Sequence, residues 1–98
     1  MHTTNELARA VMRQQKITSA YALAKKFDVS SQSVDRWLHK NSAFSDESAI
    51  KCAQLLSLPA LYTVACARYE RAKNEECKNF WKKVAEAPEE PATKEYAA

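Results

Sequence analysis

There is no glycine among the 98 residues of this chain. That absence removes every glycine-rich phosphate loop from consideration. It also leaves helix ends that need a positive φ to Asn and Asp, the next residues able to adopt it. Abundant Ala, Lys, Gln, Glu and Leu, with few β-branched runs, make the expected fold class all-α. The length allows one domain with an adequate but not generous core.

Helix starts are marked by hydroxyl and amide side chains. Thr3 with Glu6 reads as a capping box opening a first helix to about Gln15, burying Leu7, Ala8, Val11 and Met12. Ile17 joins the core from the connection that follows. Thr18 or Ser19 caps a second helix with Tyr21, Leu23, Ala24 and Phe27 at apolar spacing. That pattern stops at Asp28-Val29-Ser30 and resumes with Val34, Trp37 and Leu38. Ser30 caps this third helix, which is expected from Ser31 to about Lys40. Phe44, in the next loop, reads as a hydrophobic plug. Ser45 caps a fourth helix whose buried face is Ile50, Ala53, Leu55 and Leu56. Pro59 suits the first position of a fifth helix carrying Leu61, Tyr62, Ala65, Tyr69 and Ala72. Asn74 with Glu75 and Glu76 reads as the start of a sixth helix burying Cys77, Phe80, Trp81 and Val84. The same residues also permit one unbroken helix from Pro59 to Ala87. The expected division is a domain over 1–73, a helical extension over 74–87 and a disordered tail over 88–98, where Pro88 and Pro91 stand among Glu and Ala.

Several functions have no support in the residues. Cys52, Cys66 and Cys77 are not paired as C-x-x-C, and neither His2 nor His39 stands at metal-ligand spacing from them. They read as three small buried hydrophobes in a reducing compartment, and no metal or other cofactor is expected. No nucleophile–base pair or paired acids point to an enzyme. No run approaches a membrane span, and the N-terminus lacks an apolar signal core, so a cytoplasmic location and no membrane partner are expected. The net charge of +3 conceals an asymmetry, because residues 1–85 hold 14 basic and 8 acidic side chains. That part is distinctly basic, as a phosphate-binding surface requires.

The outward positions of the third helix are Ser31, Gln32, Ser33, Asp35, Arg36 and Lys40. Two short helices joined by a tight turn, the second with a polar outer face, make a helix-turn-helix. Such a helix can place its N-terminal residues against base edges in the major groove. The Gln32 amide can pair bidentately with adenine, and Arg36, one turn on, with guanine. Ser31 and Ser33 are short enough to let the helix approach closely. Asp35 repels phosphate and suits cytosine N4 or a neighbouring base-reading side chain. Thr18 and Ser19 offer phosphate ligands at the second helix's N-terminus, and Lys40, Asn41 and Ser42 offer others beyond the third. Palindromic half-sites call for a homodimer, for which Tyr69, Phe80 and Trp81 are candidate contacts.

Leu23-Ala24, Val29-Ser30, Gln32-Ser33-Val34 and Trp37, followed by Asp46 to Pro59, resemble the small Cro/repressor-type helix-turn-helix regulators of bacteriophages. The resemblance spans roughly residues 4 to 70, and the continuation through Trp81 looks like a subgroup with an added helix. It implies a five-helix λ-repressor-like domain, with the positions of Ser31, Gln32 and Arg36 reaching base edges. It also implies a DNA-binding regulator occupying an operator, nucleoid-associated when bound in a bacterial cytoplasm. Two departures stand out. Asp28 occupies a turn position where the family usually has glycine. Arg13 matches a position that often pairs with an acid, but the partner position holds Leu38, leaving Arg13 for phosphate or the surface. Alternatives on the same fold are a protein-interaction module, such as an antirepressor or adaptor with a phage or host protein partner, and an architectural or excision factor.

Overall fold

The computed structural model describes residues 1–86, and over them the chain forms six helices. These are α1 (Thr4–Gln15), α2 (Ala20–Phe27), α3 (Ser31–His39), α4 (Asp46–Leu56), α5 (Ala60–Arg71) and α6 (Glu75–Glu86). No strand occurs among the described residues, and none of these helices is long and apolar enough to cross a membrane. The tail expected over 88–98 lies outside the described residues.

Polar side chains start the helices where expected. Thr3 and Glu6 form the reciprocal capping box, the Thr3 amide donating to Glu6 Oε1 at 2.8 Å and the Glu6 amide to Thr3 Oγ1 at 3.1 Å. Ser19, Ser30 and Ser45 accept the amides of Ala22, Ser33 and Ser48, and Asn74 Oδ1 accepts that of Cys77 at 2.8 Å. Ala72–Asn74 therefore separates α5 from α6, and the single long helix does not form. Pro59 stands one place earlier than expected, at the cap of α5, with no side-chain hydrogen bond.

Helix ends follow a rule that residue type did not reveal. Lys16, Asp28 and Ser57 each close a helix at φ 57°, in the left-handed region. The next amide then reaches five residues back: Ile17 to Met12 O, Val29 to Ala24 O and Leu58 to Ala53 O, at 2.8, 3.0 and 2.9 Å. Ile17, Val29 and Leu58 also pack against the core, the apolar contact that accompanies this closing turn. Asp28 and Asn41 (φ 53°) meet the expectation for a glycine-free chain, whereas Lys16 and Ser57 do not.

The core gathers Leu7, Ala8 and Val11 of α1, Leu23, Ala24 and Phe27 of α2, and Val34 and Trp37 of α3 around Phe44. Phe44 is fully buried, with ring centroids 4.7 Å from Trp37, edge to face, and 5.6 Å from Phe27, stacked. Between α4 and α5 the packing rests on small side chains: Ala49, Cys52 and Ala53 against Thr63, Ala65, Cys66 and Ala67. The buried Thr63 hydroxyl donates to Ala49 O of α4 at 2.8 Å, a bond only a close helix pair can make. Close approach pushes larger residues to the rim. Ile50 and Leu61, expected inside, are exposed, and so is Tyr21, at 63%.

Helix α6 packs on α5, and none of its residues is buried. Of the face expected inside, Trp81 and Val84 are half-buried, while Cys77 and Phe80 face solvent, so only Cys52 and Cys66 are buried cysteines. Burial pushes the Cys52 thiol up to about 12. Arg68 of α5 lies over the Trp81 ring, 5.3 Å from its centroid, and is held there by Asp46 of α4. Hydrogen bonds from Arg68 and then Arg71 keep the Asp46 carboxyl below the ordinary range. A lowered folded-state value means this contribution is present above the unfolded value and fades as the pH falls through the folded one; exposure keeps it small.

Candidate nucleic-acid interface

Helix α3 is fixed at three places. Ser30 caps its start, and Val34 and Trp37 bury its inner face. Its C-terminal end is held by α1: Asn5 Nδ2 donates to the carbonyls of Trp37 and Leu38 at 3.2 and 3.0 Å. Arg9 donates through Nε to Asn5 Oδ1 and through a terminal nitrogen to Leu38 O. These donors satisfy carbonyls that a helix end leaves unpaired, and the Arg9 charge suits the negative end of the helix dipole. Leu38 packs against the core, as its replacement of the expected acid suggested. Asn5→Ala should lower stability by about 1–2 kcal/mol, because it leaves part-buried carbonyls unpaired. Urea denaturation of the two proteins side by side measures this, and an unchanged midpoint would exclude the role.

Opposite the buried face, Ser31, Gln32, Asp35, Arg36 and Lys40 line one shallow hollow. All five are exposed. Among the described residues the only ion pairs are those of Asp46 with Arg68 and Arg71, so Arg36 and Lys40 carry unneutralised charge. Asp35 is the one acid in the hollow and pairs with neither of them.

Two further candidate residues lie outside this hollow. Ser33 is half-buried, its Oγ 3.2 Å from the Ser30 Oγ, and lines an adjoining hollow with Val29, Trp37, Ser48 and the shared Arg36. About 100° of helix rotation away from Gln32, it serves the cap and not the outer face. Arg13 lines the groove between α1 and the α4–α5 junction, with Leu56 and Leu58, which shares no residue with the α3 hollow. At the flanks, Thr18 is exposed and the Ser19 hydroxyl is engaged in capping. Beyond α3, the amides of Lys40 and Ser42 both donate to Arg36 O, and the left-handed Asn41 between them turns the chain away. Tyr69 and Trp81 are half-buried and Phe80 is 58% exposed, all on the α5–α6 side.

The chain matches no family model, no curated protein and no solved structure.

The geometry therefore carries the case. A rigidly seated helix offers an amide, a guanidinium, an ammonium and a short hydroxyl on one open side. The residues that sequence reasoning missed are Asn5 and Arg9, whose bonds cross some thirty positions of chain and leave no local signal. Among the described residues no cluster of three or more His, Cys, Asp or Glu is placed to hold a metal ion.

Proposed function

We propose that this protein is a sequence-specific double-stranded DNA-binding transcription regulator. On this reading α2 and α3 form a helix-turn-helix within a five-helix λ-repressor-like domain, α1 to α5, and α6 is the added helix. The protein acts as a phage or prophage repressor or Cro-like switch, occupying an operator as a dimer. The observation that carries the reading is the set Ser31, Gln32, Arg36 and Lys40, exposed on one side of a helix whose other side is anchored by Val34 and Trp37. A major groove about 12 Å wide admits such a helix. Gln32 then reads adenine, Arg36 reads guanine, Ser31 allows close approach, and Lys40 meets phosphate at the far end.

Selection of bound duplexes from a random pool tests this directly, and the enriched sequences should form two symmetric half-sites. On the selected site, Gln32→Ala and Arg36→Ala should each weaken binding by about 1–3 kcal/mol and relax one base position. Lys40→Ala should weaken all sequences alike and reduce the salt slope by about one. A pool that enriches nothing, with the protein folded, rules the reading out.

Asp35 favours a second reading. A carboxylate amid the presumed contact set suits a basic protein surface better than phosphate, so the same face can serve an antirepressor or adaptor. An undiminished partner complex after Gln32→Ala and Arg36→Ala, without any DNA selection, distinguishes it. An enriched site that is strongly bent but causes little repression would instead indicate an architectural or excision factor.

A further inference from the structure

Among the described residues, helix α6 is covered by α5 on one side only. Lys78, Trp81 and Ala85, spaced at i, i+3 and i+7, are the half-buried side, while Glu76, Phe80 and Lys83, at i, i+4 and i+7, are exposed. Phe80 is thus a large aromatic side chain held open to water, braced edge to face against Trp81 with centroids 5.0 Å apart. Cys77 and Val84 lie between the two sides. The flanking charges have an order: Glu75 and Glu76 begin the helix, and Lys82 and Lys83 come near its end. Among the described residues none of these four is in an ion pair.

We infer that this face of α6 is where two copies of the chain meet, antiparallel about a two-fold axis at Phe80. The register follows from the sequence. Glu76 and Lys83 lie on the same flank of the helix, four residues before Phe80 and three after it. A two-fold that sets Phe80 against its counterpart brings Glu76 of each copy beside Lys83 of the other, twice over. An isologous contact needs this self-complementarity. A parallel pairing would set acid against acid. One pair of 12-residue helices falls well short of the ~800 Å² per partner of a standard interface, so association is weak in free solution and is completed when two half-sites lie on one duplex. The inference deepens the dimeric reading above by naming its surface, but the free protein tests it without DNA.

Cys77 supplies the probe. The two copies of this residue are ~9 Å apart along the paired helices, and the other two thiols, on Cys52 and Cys66, are buried. A bismaleimide of that span should join two full-length chains, and Cys77→Ser should abolish the product. Sedimentation of the full-length chain across a wide concentration range gives the affinity. Phe80→Glu should leave a folded monomer, since the side chain is exposed. Glu76→Lys and Lys83→Glu should each weaken association by roughly tenfold, because two pairs turn repulsive. The double variant should recover to within a few-fold of the parent, which a merely structural role for either residue does not explain. A parent chain that stays monomeric, an unaltered dimer in Phe80→Glu, or a double variant no better than the singles overturns the inference. If instead only the DNA reading is wrong, all of these self-association results stand and no duplex is bound.

Discussion

Phe44→Ala is expected to lower stability by about 3–5 kcal/mol, the range for deleting a large aromatic side chain from a packed core. The ring is fully buried between Trp37 and Phe27 and makes two aromatic contacts besides its burial. For a domain of this size the whole margin is only about 4–13 kcal/mol, so the loss removes a large part of it. Thermal unfolding followed by circular dichroism should show a Tm lower by ~15–30 °C. Phe80→Ala is the control, since an exposed ring should change stability by about 0.5 kcal/mol or less in the monomer. The consequence reaches the interface. Phe44 seals the loop after α3 against the inner face of that helix, so its loss should release α3 and, on the function proposed above, reduce DNA binding even where Gln32 and Arg36 are intact. A Tm shift below a few degrees would mean that Phe44 is not the keystone of this core.

The second large effect runs in the opposite direction. Lys16, Ser57 and Asp28 each hold φ at 57°, a conformation costing non-glycine residues about 1–2 kcal/mol. Lys16→Gly and Ser57→Gly should each stabilise by about 1 kcal/mol, after allowing for the greater freedom glycine has when unfolded. Asp28→Gly should yield less, because Asp tolerates the left-handed region better. The triple variant should gain ~2–3 kcal/mol and raise Tm by ~10–20 °C. Lys16→Ala, which keeps a β-carbon, should bring no such gain. If glycine at 16 or 57 destabilises, the closing turns are not the source of strain.

Helix starts were legible because they are chemical: Thr3, Ser19, Ser30, Ser45 and Asn74 each supply an acceptor for a first-turn amide. Helix ends were only half legible. With glycine absent, the signal moved from the turn residue to the apolar residue after it, at Ile17, Val29 and Leu58. Periodicity also misplaced large side chains where the packing uses small ones. Ile50 and Leu61 satisfy an apolar spacing, but alanine, cysteine and threonine bring α4 and α5 too close to admit them. In α6 the pattern correctly marked an apolar stripe, yet among the described residues α5 alone packs along it. The shared exposure of Gln32, Arg36 and Lys40 on one side of α3 followed from helical spacing, whereas Ser33 was drawn inward by its capping partner, and Arg13, assigned to phosphate or the surface, lines a different groove. The grip of Asn5 and Arg9 on α3 belongs to tertiary structure alone.

Thr4 ties α1 to parts of the chain far along the sequence. Its amide and hydroxyl both donate to Glu70 Oε1, at 2.8 and 2.6 Å, while its Oγ1 accepts the amide of Phe44. During translation these partners emerge 40 and 66 residues after Thr4 itself. Helix α1 therefore cannot complete these contacts until nearly all of α5 has cleared the exit tunnel. A nascent chain stalled before Glu70 should remain open to protease at α1, and the seating of α3 on α1 should be completed abruptly, late in synthesis.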